Sequence, residues 1–509
     1  MNRKVIFVLF VLMSLSPLIC LALNFKIYVK ASNGYPVHNI DTGIDYATIQ
    51  EAINAASDGH TIIVDVGIYK ENIVVNKSVS LIGEDAANTI IDGMNKNTVV
   101  NITANNVLFE GFTIQNASIP YEYKYPGIIL YNVSGCQVKK NILFACYTGV
   151  HANQTARCQI TKNNFTYCYI CAFAVQCREF IVEDNKAYNY NGGGMIFGFC
   201  NDSLISRNDV SNFVYSLGST MGIYIVKCNN VTLCENIACN NTDTMYYSSG
   251  GIVVEDCVNC TVTKNRIKDN QFGGLGLTYG SRNNVVSGNY IANQKVGVYL
   301  LESSNNTFYH NNLVNNTHQV FDASLNYTEY SSSVNDWDNN LEGNYWSNYT
   351  GKDLNHDGIG DTEHIIYASN QDNCPLMGMF SSFNTSLGLY VNIISNSTIE
   401  NFEYFESNST IKMHVSNATA GQTFGFCRVC IPHALMTEPY HVIIDDAEPH
   451  YVNYTLHDDG ENRWIYFSYE HSTLEIIIIP EFPSFILPLF IIATLLAVIV
   501  HRRKHFVQM

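Results

Sequence analysis

Apolar and polar residues alternate along this chain in short runs that return on a nearly fixed period. The pattern apolar-x-x-Asn recurs at Val138/Asn141, Ile160/Asn163, Val182/Asn185, Ile205/Asn208, Leu233/Asn236, Val262/Asn265, Val286/Asn289 and Phe308/Asn311. Successive asparagines are 22, 22, 23, 28, 29, 24 and 22 residues apart. Fourteen positions before most of them a glycine opens a short apolar strand: Gly127, Gly149, Gly194, Gly222, Gly251 and Gly297. Each period therefore predicts at least two short strands and leaves no room for a helix of useful length.

Strands that return every 22 or so residues in one register stack on themselves more readily than they close a sandwich. The expected fold is all-β: a right-handed parallel β-helix in which each coil hides an apolar face on the next. Asparagine suits a fixed turn, because it tolerates the left-handed region and its amide can bond to the asparagine one coil above. The tripeptide Arg266-Ile267-Lys268 is then one rung, with Ile267 inward and both cations in solvent. The run "YATIQEAINAASDGH" predicts a helix that plugs the front of the coil. Ile49, Ala52, Ile53 and Ala56 share one face of it, and Thr48 can cap it.

Charge narrows the partners. Only 14% of the 509 residues are charged and the net charge is -17, so nucleic acid is not expected, since phosphate binding needs a basic patch. Arg3-Lys4 followed by the apolar run Val5 to Met13 reads as a signal peptide over residues 1–22. Phe485 to Val500 followed by His501-Arg502-Arg503-Lys504 reads as a membrane anchor over 484–504 with a basic cytoplasmic tail. Nineteen N-x-S/T sequons spread between these two ends. Together they place a glycosylated ectodomain at the cell surface.

The segment from Thr48 to Asn116, the asparagine-marked coils and "GNYWSNYTGKDLNHDGIGDTEHII" closely resemble the NosD-like β-helix proteins. That family is labelled periplasmic copper-binding and is related to carbohydrate-binding and sugar-hydrolysis repeats. The segments "FGFCRVCIPHAL" and "PEFPSFILPLFIIATLLAVIVHRRK" resemble the β-domain and anchor that close archaeal surface proteins of this type. The resemblance implies a β-helix over 45–375, with a β-sandwich stalk over 388–479 that the alternating runs there also predict.

Copper is not expected, because its sites want clustered Cys, Met or His, and neither the 15 His nor the 11 Met cluster. Cys177, Cys200, Cys228 and Cys257 all fall eight positions before the marker asparagine. Such stacks suit buried thiols, inter-coil disulfides or a soft-metal site such as Cys257-x-x-Cys260. A better metal candidate is "DLNHDGIGDT", where Asp353, Asn355, Asp357, the Ile359 carbonyl and Asp361 alternate around Gly358. Hard oxygen ligands in that spacing suit calcium.

Two residues after each strand-opening glycine the side chain should face outward. Those positions read Ile129, His151, Ile196, Tyr224, Val253 and Tyr299, with Phe173 in the coil lacking the glycine. Phe173, Tyr224 and Tyr299, with Glu255 beside them, form a candidate stripe for stacking on an extended sugar chain. No catalytic pair is assigned, because Glu255 and Asp256 are strand neighbours whose side chains point to opposite faces. The preferred function is therefore binding of an extracellular polysaccharide or a surface-layer glycoprotein. The alternative is a lyase or glycoside hydrolase acting on an acidic polysaccharide.

Overall fold

The computed structural model describes residues 34–117, 125–189, 192–213, 221–242, 250–418, 421–445, 449–470 and 473–481. The expected signal peptide and membrane anchor lie outside them. Among the described residues no helix is long and apolar enough to cross a membrane. They are all-β apart from one α-helix and one 3-10 turn. The chain divides into two compact units, residues 1–186 and 187–509.

In the first unit each period lays one strand on each of three parallel sheets, as a parallel β-helix requires. One coil runs Gln137–Lys139, Ile142–Phe144 and Thr148–Asn153, on the first, second and third sheet respectively. Each strand pairs with its counterpart one period later: Val138 with Ile160, Leu143 with Phe165, Val150 with Ala172. All six are buried and form the core. The second unit repeats the scheme, with Val262 beside Val286, Ile267 beside Ile291 and Leu275 beside Val298.

Three strands per period need tight turns, and several coils place non-glycine residues in the left-handed region at four positions. Gln154, Arg157, Lys162 and Tyr167 do so in one coil, Lys227, Asn230, Glu235 and Asn240 in another. A left-handed residue costs roughly 1–2 kcal/mol. Here the N–H groups of Gln154, Arg157, Lys162, Lys227, Asn230, Glu235 and Asn240 each reach a carbonyl of the next coil, as Gln154 does to Val175 (3.0 Å) and Lys162 to Glu183 (3.0 Å). Sequence reasoning gave the marker asparagine this left-handed role. The structure gives it to the residue before, Lys162 ahead of Asn163 and Lys264 ahead of Asn265.

The asparagine instead builds a ladder. Asn163 Oδ1 accepts the backbone N–H (3.0 Å) and Nδ2 (3.1 Å) of Asn141, and its own Nδ2 donates to the Val138 carbonyl and to Asn185 Oδ1. In the second unit Asn208, Asn236, Asn265, Asn289, Asn311 and Asn344 continue the motif. Two parallel ladders, unmarked by the apolar-x-x-Asn pattern, run through Asn284, Asn306 and Asn335 and through Asn270 and Gln294.

The strand-opening glycines have a steric cause. A Cβ on Gly149 would sit 2.5 Å from the Cys171 carbonyl oxygen, and one on Gly297 2.7 Å from that of Gln319. Coils approach too closely there for any side chain. The front plug is the helix Ile49–Ala55, whose cap Thr48 accepts the Glu51 N–H. Glu71 adds a carboxylate that accepts the Ile49 and Gln50 N–H groups at 3.0 Å each, complementing the helix dipole.

Also in the second unit, residues 379–480 form two five-stranded antiparallel sheets. Val391, Met413, Cys427, Val429 and Ile476 lie in the hydrophobic cluster that these sheets share. Along the strand Phe424–Pro432 alternate residues face this cluster, while Phe426 joins Leu376, Phe380 and Tyr466 in another.

Candidate functional site

On the third sheet of the first unit, outward-facing residues stand in register one coil apart: Val74, Asn101, Ile129, His151 and Phe173. The His151 and Phe173 rings lie 5.1 Å apart. Burial holds His151 below the usual imidazole range, so it is neutral at pH 7. At the amino-terminal end of this row a cleft of about 340 Å³ opens between Asn72, Asn97, Asn101, Thr103, Ile129 and Tyr131. None of its lining residues is charged, and Tyr131 is 52% exposed. The sequence reading missed Asn72, Asn97 and Asn101, because these coils precede the repeat it aligned; Tyr131 lies in the first aligned coil, four residues after Gly127. The one available signal was the outward parity of Asn101 in Val100-Asn101-Ile102.

In the second unit the row reads Ile196, Tyr224, Val253, Gly276, Tyr299 and Phe321. Tyr224 is half-buried; burial first, and then its hydrogen bond to Glu255, raise its phenol above the usual range. Tyr299 departs from the expected open platform. It is only 7% exposed and packs with Val296, Leu301 and Ala323 under Phe321 and Tyr330. The cause is the 3-10 turn Ala323–Asn326 and the segment after it, which Asp322 ties down by accepting the Ser324 and Ser333 N–H groups. Val253 is buried as well. Residues 243–249, which precede the strand Gly250–Glu255 that holds Val253, lie outside the described residues. Asp256 stands in a left-handed corner after the strand that ends at Glu255, so the two carboxylates do not flank one point of the face.

The 353–361 loop closes on itself. Asp353 accepts the N–H of Asp357 (3.1 Å) and of Gly358 (2.9 Å), Asp357 accepts that of Ile359 (2.8 Å), and Asp361 accepts that of Leu354. Asn355 donates to Asp357 at 3.3 Å. Gly358 has φ +87°, the sharp turn the sequence predicted. Among the described residues no three His, Cys, Asp or Glu side chains converge as a metal-binding group.

All fifteen described cysteines are free thiols, and most are buried. Their stack is a hydrogen-bonding column: Cys228 Sγ accepts the Cys200 N–H (3.4 Å) and Cys257 Sγ that of Cys228 (3.3 Å). Ser281 Oγ takes the same place for Cys257 at 3.2 Å. Thiol and hydroxyl are interchangeable there, which accounts for the cysteine spacing without a ligand. Cys171, wholly enclosed, is pushed above the ordinary thiol range by burial.

The profile of the family described as "Periplasmic copper-binding protein (NosD)" matches residues 88–218 and 172–351, just over half of the chain. This chain belongs to the NosD family. A cell surface glycoprotein of Methanothermus fervidus is 32% identical over 329 residues, covering 61% of this chain and 53% of its own. The probable ABC transporter binding protein NosD of Stutzerimonas stutzeri is 29% identical over 136 residues, covering 24% of this chain and 29% of its own. The chain thus spans about half or less of the length of these curated relatives. Among solved structures, the mannuronan C-5 epimerase AlgE6 A-module of Azotobacter vinelandii is similar at 17% identity. It covers 60% of this chain and 96% of that one, at a TM-score of 0.41. The NosD family description names copper. Among the described residues the stacked thiols Cys228 and Cys257 accept backbone N–H groups, and no three His, Cys, Asp or Glu side chains converge as a metal-binding group.

Proposed function

We propose that this NosD-family chain is a cell-surface protein whose right-handed β-helix binds an extracellular glycan without cleaving it. The observation that carries the reading is the uncharged cleft of the first unit. Its amides and hydroxyls offer donors and acceptors to sugar hydroxyls, and the exposed Tyr131 ring offers a face for sugar C–H groups. His151 and Phe173 extend the same face coil by coil. A net charge of -17 disfavours a polyanion, so the ligand is a neutral polysaccharide. The naming of the Methanothermus relative as a cell surface glycoprotein supports the location. On this reading the two antiparallel sheets are a β-sandwich stalk and residues 484–504 the membrane anchor. On the same reading the 353–361 loop is a calcium site, with Asp353, Asn355, Asp357, the Ile359 carbonyl and Asp361 as its ligands.

Cleavage of a glycoside takes two carboxyls roughly 5 to 10 Å apart around one bond. Glu255 is engaged by Tyr224 instead. Incubating the purified ectodomain with neutral and acidic polysaccharides tests the reading, with binding followed by co-sedimentation and products by reducing-end and unsaturation assays. Retention of a neutral polymer with no products is the expected result. Products lost in Glu255→Gln would make the chain an enzyme.

A further inference from the structure

The asparagines of this chain fall into two populations. Ladder residues such as Asn141, Asn163, Asn236, Asn265, Asn289 and Asn311 are 1% exposed or less. No buried asparagine of the described residues begins an N-x-S/T triplet, and none of the nineteen sequon asparagines is buried. Part of this follows from the fold, since two residues after a ladder asparagine the chain points inward and needs an apolar side chain, as at Leu143 and Phe165. The exposed corners carry no such constraint.

One corner of the second unit, between the third and first sheets, concentrates the triplets. Its left-handed residues on successive coils are Asp202, Asn230, Asn259, Asn283 and Asn305. Asn230, Asn259 and Asn305 are exposed, and each is followed two residues later by a threonine, Thr232, Thr261 and Thr307, at a half-exposed position of a first-sheet strand. Their backbones are already satisfied by the next coil, Asn230 N–H to Val258, Asn259 to Arg282 and Asn305 to Val334. Modification of these side chains therefore breaks no backbone bond.

We infer that Asn230, Asn259 and Asn305 carry N-linked glycans, forming a ridge along this corner; the inference rests on the surface location proposed above. The co-reactant is an activated sugar phosphate supplied by a separate transferase. Asparagine Nδ2 forms a bond to the anomeric carbon, the bond from that carbon to the phosphate oxygen breaks, the phosphate leaves with the electron pair, and the amide gives up one proton. No oxidation or reduction is involved. Neighbouring coils lie only about 4.8 Å apart, less than the width of a sugar ring. Asn230 and Asn259 are on adjacent coils, so their glycans must splay apart, whereas Asn305, separated from Asn259 by the coil of unmodifiable Asn283, has room.

The test is intact-glycopeptide mass spectrometry of the full chain expressed in a host that glycosylates exported proteins, with cell fractionation alongside. Sugar mass on the peptides holding Asn230, Asn259 and Asn305, and none on those holding Asn236, Asn265 and Asn289, is the expected result. Asn305→Gln should remove the sugar mass from that peptide alone. If the corner peptides are bare while exposed sequons such as Asn384 or Asn408 carry sugar, the ridge is overturned and the surface location stands. If no peptide is modified and the chain fractionates with the cytosol, the location itself is overturned, and the ridge with it.

Discussion

Arg428, on an antiparallel strand, donates from Nε to Oε1 of Glu342 at 2.8 Å, and Glu342 Oε2 lies 2.8 Å from His310 Nε2 on the β-helix. Arg428 also donates from Nη1 to the Asp357 carbonyl at 2.9 Å, tying the 353–361 loop into the same joint. The pair is 6% exposed on each side. Burial alone would raise the Glu342 carboxyl, but its hydrogen bonds and electrostatic interactions with His310 and Arg428 hold it below the usual range. Breaking a buried pair by removing one partner costs about 3–5 kcal/mol. Arg428→Ala should therefore destabilise this joint by that order in chemical denaturation. Because the folded Glu342 carboxyl is depressed, its contribution is present above the unfolded value near 4.5 and is lost as pH falls below it. An acid-unfolding midpoint unmoved in Glu342→Gln would contradict this.

Asp372 closes the asparagine ladder. Its carboxylate accepts the Asn344 N–H (2.7 Å), Trp346 Nε1 (2.8 Å) and the Cys374 N–H (3.0 Å). A ladder amide such as that of Asn163 donates both to a carbonyl of the preceding coil and to the ladder asparagine of the next, and at the end of the column Asn344 Nδ2 donates to Asp372 at 3.3 Å instead. Burial nevertheless outweighs the donors and raises Asp372 to about 6. The folded chain thus holds that proton more tightly than the unfolded one. Its stabilising effect is full below about 4 and is lost as pH rises from there to about 6. The difference is on the order of 3 kcal/mol. Asp372→Asn should flatten the stability profile across that window, the opposite slope to that from Glu342; an unchanged profile would remove the assignment.

Mid-ladder, Asn265 accepts from the Asn236 N–H and Nδ2 and donates to the Leu233 carbonyl and Asn289. Each buried group left unpaired costs about 1–3 kcal/mol. Asn265→Ala should lower stability by several kcal/mol, and Asn164→Ala, at an exposed strand position, by less than about 0.5. Equal losses in urea denaturation would show that the ladder is not what holds the coils.

Calcium at the 353–361 loop would stabilise the folded chain by about 2.7 kcal/mol at a hundredfold excess over its dissociation constant. Calcium is expected to raise the thermal midpoint by several degrees, a chelator to reverse it, and Asp361→Asn to abolish the response. Indifference of the wild type to chelator would rule the site out.

The coils were legible because backbone stacking forces a period on the sequence. Gly149 and Gly297 open strands where no Cβ fits, and Asn163 and Asn265 mark the turn where an amide must bond its neighbour. The capping helix was legible too, from Thr48 and the spacing of Ile49, Ala52 and Ile53. The cover over Tyr299 was not, since residues 323–334 leave the period and are fixed by Asp322, a contact without local signature. The cleft escaped because Asn72, Asn97 and Asn101 lie on coils that precede the aligned repeat, although Tyr131 lies on its first coil. The left-handed corners were not fully legible because lysine, arginine, glutamine and tyrosine also occupy them beside asparagine, where backbone bonds to the next coil hold residues such as Gln154 and Lys162.

The central claim is that the uncharged cleft of the first unit holds a neutral glycan. It is tested most directly by titrating the wild-type ectodomain and Tyr131→Ala with soluble neutral oligosaccharides in a calorimeter. Loss of a stacking ring costs about 1 kcal/mol beyond its buried area, so Tyr131→Ala should weaken binding about fivefold or more, with an unchanged melting point. Tyr299→Phe, under its cover, should bind as the wild type does. Equal affinity of Tyr131→Ala and wild type, or preference for a polyuronate, would contradict the account.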